Sequence, residues 1–127
     1  MGDNSLFQSV IDKLDEIVPT KTVPLSSTSI AYEASRQVKA VSGTLYGISG
    51  YNSKGSTQFI QVHDAAALPA EAAVPKIIIG VSASSNFSVD FGTLGRFFTT
   101  GIVVCNSSTG PTKTIGSADV WFDVSYL

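Results

Sequence analysis

The last ten residues, ADVWFDVSYL, constrain the fold more than any other stretch. Val120, Phe122, Val124 and Tyr126 alternate with Trp121, Asp123 and Ser125. A period of two sends the first set to one face of an extended strand and the second set to the other. The cadence recurs upstream, where Phe87, Val89 and Phe91 alternate with Ser88 and Asp90. RQVKAVSGTLYGISGYN, TQFIQVH and RFFTTGIVVCN are further β-forming runs, set apart by turn-rich pieces such as NSKGS and SSTGPTK. KIIIGVSA is almost continuously apolar, the pattern of a strand covered on both faces. About seven or eight short strands at regular spacing predict a mainly β chain, an antiparallel β-sandwich of jelly-roll type over residues 35–127.

A different pattern precedes it. Ser5-Leu6-Phe7-Gln8 has the form of a capping box. Leu6, Phe7, Val10, Ile11, Leu14 and Ile17 then share one helical face, with Asp12, Lys13, Asp15 and Glu16 opposite and Pro19 as the stop. This predicts a short N-terminal amphipathic helix over 1–18, followed by an extended Pro/Ser/Thr-rich arm over 19–34. A helix of about 12 residues is marginal alone in water, so the apolar face needs a cover. Three covers fit: the chain's own sandwich, copies of the same helix through the Phe7, Val10, Leu14, Ile17 seam, or another protein. Those six apolar residues are the candidate docking residues.

Charge narrows the function classes. Charged residues make up only 14% of the 127, and the net charge is −2 with no basic run, so a phosphate-neutralising surface for nucleic acid is not expected. No apolar stretch approaches the length of a membrane helix, which argues against a membrane partner. No signal peptide opens the chain, and synthesis without ordinary export is expected. Cys105 is the single cysteine; it lies in the apolar run GIVVC and reads as a small core residue.

QVHDAAALPAEAAVP holds the only histidine, His63, next to Asp64. Neighbours in a strand face opposite ways, so the two cannot form the orienting pair of a hydrolytic triad. One histidine and one remote cysteine do not make a metal site. The segment reads as the end of a strand followed by a stiff loop, with no catalytic residues, no cofactor and no metal, and the chain as a non-enzyme. One surface feature remains. Asp119, Trp121 and Asp123 would lie in a row on one strand face, an arrangement that fits either sugar contact or a solvated face carrying one interface tryptophan.

The phrases GYN…QFIQVHDAAALPA…VP, SSNFSVDFG and GIVVCNSSTGPTKTIG resemble a family of small virion structural proteins of tailed bacteriophages, over roughly residues 42–127. The resemblance implies a virion location and a capsid decoration (cement) or head-fibre role, with the phage major capsid protein or another virion protein as partner. A self-associating helix seam together with the three-fold axes of a shell makes a homotrimer the expected assembly. The alternative is a tail- or fibre-associated module that recognises a bacterial-surface carbohydrate through Trp121 and the nearby acids.

Overall fold

The computed structural model describes residues 23–127 together with Phe7 and Ser9. The helix expected over 1–18, with Leu6, Val10, Ile11, Leu14 and Ile17, otherwise lies outside the described residues, as do residues 19–22 of the arm. Phe7 is exposed.

Among the described residues the chain forms nine strands: β1 Leu25–Thr28, β2 Ser35–Lys39, β3 Gly43–Asn52, β4 Gln58–His63, β5 Ile77–Val81, β6 Ser85–Asp90, β7 Arg96–Phe98, β8 Ile102–Ser107 and β9 Val120–Tyr126. All pairings are antiparallel. One sheet has the order β1-β9-β3-β6, with β7 alongside the first residues of β3, and the other has the order β2-β8-β4-β5. The chain changes sheet at every step except β4 to β5 and β6 to β7.

The alternation read from the sequence lays down the core. Val120, Phe122 and Val124 of β9 are fully buried, and they meet Leu45 and Ile48 of β3, Ile60 and Val62 of β4, and Ile102 and Val104 of β8. Gly50 shows how tightly the layers close. It lies between Phe122 and Phe87 in register, and a methyl group there would stand 2.7 Å from the Phe87 ring and closer still to the Trp121 carbonyl oxygen. Only a residue without a side chain lets the Phe87 ring and the Trp121 carbonyl come this close.

Three expectations need correction. First, residues 25–34 are extended but do not stand apart as an arm. Leu25–Thr28 pairs with Asp123–Tyr126, the Ser29 and Glu33 amides donate to the Phe122 and Val120 carbonyls, both within 2.8 Å, and Arg36 ties the two sheets by donating to Ser27 Oγ at 2.7 Å and Glu33 Oε1 at 2.9 Å. The alternating Ser/Thr pattern that looked like a tether is that of an edge strand with a polar outer face. Second, Ile77–Val81 is not covered on both faces. It is the edge strand of its sheet, and Ile78 is 46% exposed. Third, the strand buried on both faces is β8, all six of whose residues are buried.

The outer side of β8 is covered by two connections. Residues 64–76 and 108–119 fold against each other through Ala72 N–H to the Lys113 carbonyl and Lys113 N–H to the Ala73 carbonyl, both 2.8 Å. Gln61 reaches up from β4 and donates through Nε2 to the carbonyls of Thr109, Gly110 and Thr112 at 2.8–3.1 Å. The alanine- and proline-rich loop therefore acts as a lid on the second sheet, and among the described residues no such connection covers the middle of the first sheet's outer face.

Candidate functional site: the outer face of the first sheet

His63 and Asp64 are turned to different tasks. His63 is 2% exposed and its Nε2 lies 3.1 Å from Gln61 Oε1. Burial, and next the Lys113 charge, hold it below the ordinary histidine range. Asp64 faces the other way and caps the turn before β8. Partial burial would raise its carboxyl, but the Thr100, Thr99 and Gly101 amides and the Thr99 hydroxyl outweigh that and bring it to about 2. Their distances run from 2.8 to 3.3 Å. Burial pushes the Cys105 thiol up to about 11, against a smaller opposing effect of Lys113. Lys113, 4% exposed, donates to the Pro69 carbonyl. These groups hold the lid and the turn in place, with the histidine buried and the carboxylate fully engaged.

The outer face of the first sheet has a different character. Register aligns its outward residues in three rows across the strands. The first row holds Trp121, Tyr51 and Asn86 from β9, β3 and β6. The second holds Thr28, Asp123, Ser49 and Ser88, starting from β1, and the third Ser26, Ser125, Gly47 and Asp90. None of these eleven residues is buried. Strands lie about 4.8 Å apart and alternate residues about 6.8 Å apart along a strand, so the rows form a lattice roughly 14 Å on each side. No lysine or arginine occupies any of the positions.

Two depressions lie on this face. One, about 360 Å³, is floored by Gly47 and Ser49 and walled by Tyr46, Asp90, Asp123 and Pro24. The other, about 410 Å³, lies where the β1–β2 connection folds over the start of β9, and is lined by Ile30, Tyr32 and Trp121. Ile30 is fully exposed and Tyr32 is 49% exposed. Trp121 thus stands between two tyrosines: Tyr51, its cross-strand partner, and Tyr32 across the depression.

Of the three residues expected in a row, the structure brings two together. Trp121 and Asp123 share the outer face of β9, and Asp123 Oδ1 accepts the Thr28 hydroxyl at 3.0 Å. Asp119 does not join them. It precedes the strand, accepts the Ser117 hydroxyl, and lies 3.9 Å from the Lys54 ammonium, so its carboxylate serves the turn. Sequence reading missed Tyr51, Ser49 and Asp90, which the sheet places beside Trp121 and Asp123. A signal was available in GTLYGISGYN. Leu45 and Ile48 are three apart, which breaks the period of two, and the ladder to β9 shifts register between Leu45 and Gly47. That bulge turns Ser49 and Tyr51 outward.

No protein-family model matches this chain, and no curated protein matches it. Among solved structures, the coat protein of Tobacco streak virus is similar at 13% identity and a TM-score of 0.37, over 85% of this chain and 90% of that one. A likeness at that TM-score carries no information on function.

Proposed function

We propose that this protein is a non-enzymatic structural component of a virion, of the capsid decoration (cement) or head-fibre type found in tailed phages. The observation that carries the reading is the strand order. Two antiparallel layers, β1-β9-β3-β6 and β2-β8-β4-β5, with first strand beside last and β7 as a short addition, support the expected jelly-roll type, an architecture used by viral capsid proteins. Two further features support it. The phrases that resemble tailed-phage virion proteins fall in roughly residues 42–127, and the groups best suited to chemistry, His63, Asp64 and Cys105, are committed to holding the fold.

In this reading the apolar face of residues 6–17 provides docking to the major capsid protein or to two further copies, as a homotrimer on a local three-fold axis. The test is mass spectrometry and cryo-electron microscopy of gradient-purified particles made with this gene present. The expected result is this chain on the shell in constant ratio to the major capsid protein. Its absence from purified particles overturns the reading, and its presence at the tail alone overturns the capsid assignment.

A further inference from the structure

We propose that the outer face of the first sheet is a binding site for a neutral glycan, with Trp121 as the platform on which one sugar ring stacks. This inference stands independently of the virion reading. A pyranose presents an apolar C–H face and a rim of hydroxyls. Its recognition needs an accessible aromatic plane, with hydrogen-bonding groups one ring-width away. Trp121 is half-buried and presents its ring to the depression that Tyr32 also lines, with Tyr51 as its cross-strand neighbour. Asp123 is two residues further along the same strand face, about 6.8 Å away, the distance at which the hydroxyl rim of a stacked ring arrives. Asp123 Oδ1 already accepts Thr28, and its other oxygen takes no hydrogen bond among the described residues. Ser49 stands directly opposite Asp123 on β3 and offers a hydroxyl that both donates and accepts.

Charge selects the class of ligand. The lattice carries two carboxylates, Asp123 and Asp90, and among the described residues neither forms a salt bridge and no lysine or arginine shares the lattice. Carboxylates accept from sugar hydroxyls through charge-assisted hydrogen bonds and repel uronates, sulfates and phosphates. The same observation argues against a protein occupant, because the centres of protein interfaces are depleted of charged residues and here a carboxylate occupies the middle row.

The test exploits a convenience of the sequence, which has a single tryptophan beside four tyrosines, so fluorescence excited at the red edge, where tyrosine does not absorb, reports on Trp121 alone. The full chain is titrated with cellohexaose, maltohexaose, mannohexaose and chitohexaose, with a galacturonate oligomer as the charged counterpart. The expected result is a saturable change in Trp121 emission with at least one neutral oligomer and none with the galacturonate. By calorimetry, Trp121→Ala and, separately, Asp123→Ala should each weaken binding of that oligomer by about tenfold or more. Asp123 is solvent-accessible, so its variant reads the site even if the tryptophan variant fails to fold. No saturable response to any neutral oligomer overturns the proposal. So does equal binding of the galacturonate, or binding that survives the Asp123 change. An emission change that follows protein concentration, with no response to sugar, would instead make the face a contact between copies.

Discussion

Protonating His63 would put a second positive charge near the buried Lys113 ammonium, beneath the lid formed by residues 64–76 and 108–119. Among the described residues the groups around it offer no compensation: Gln61 on its own strand is neutral, Cys105 on β8 holds its proton, and Lys113 on the lid opposes a positive charge. The unfolded chain takes up the proton near pH 6.5 and the folded chain only at lower pH. The unfolded state therefore binds more protons as pH falls below that value, and stability drops. His63→Gln removes the titration and should flatten the dependence of the urea midpoint on pH between about 7 and 5. An unchanged slope would locate the proton uptake elsewhere. Asp64 acts lower on the scale. Its carboxyl falls from 3.8 to about 2 on folding, so its contribution is present above pH 3.8 and fades as pH falls toward 2. Its site is open to solvent, so Asp64→Asn should cost about 1 kcal/mol or less at neutral pH. In thermal melts the gap between variant and parent should narrow as the buffer approaches pH 2, and a constant gap would mean that the loss does not come from the carboxylate's charge.

At the scale of the element, β9 is a central strand of the first sheet. It pairs with β1 on one side and β3 on the other, and Phe122, fully buried, is its largest core side chain. Phe122→Ala removes a fully buried ring from the core, and should cost about 3–5 kcal/mol in denaturant melts. A loss below about 1 kcal/mol would mean the core collapses into the space. Strands such as β9 and β6 were legible because alternation alone states their two faces. The sequence was less informative where burial depends on what lies outside the sheet. Ile77–Val81 and Ile102–Ser107 look equally apolar, yet one is an edge and the other is central and covered by a lid. Periodicity cannot say which neighbour a strand receives. Asp119 was misplaced for a related reason: the alternation continues one residue past the point where the ladder ends, and hydrogen bonds to the turn decide where that side chain goes.

For the whole molecule, half of the candidate site was readable in one strand, since Trp121 and Asp123 share a face by spacing alone. Ser49, Tyr51 and Asp90 come beside them only through the order β9-β3-β6 and the bulge in β3, which are consequences of the complete fold. The same pairing decides where the chain can be cut. Residues 6–17 carry the apolar helical pattern, whereas residues 25–33 are fixed to β9 by strand pairing and by the Ser29 and Glu33 amides. A chain beginning at Val23 keeps all of those bonds and should melt cooperatively at the temperature of the full chain. A chain beginning at Ser35 loses β1, strips one side of β9, and releases Arg36 from Ser27 and Glu33. Each hydrogen bond lost contributes about 1 kcal/mol net, so the second truncation should be several kcal/mol less stable, or fail to fold. Equal melting of the two truncations would show that β1 adds nothing to the sheet. With folding secured, the shorter deletion isolates attachment. On the virion reading, the chain from Val23 should remain folded and no longer decorate particles, and full occupancy by that chain would move the anchor from residues 6–17 to the sheets themselves.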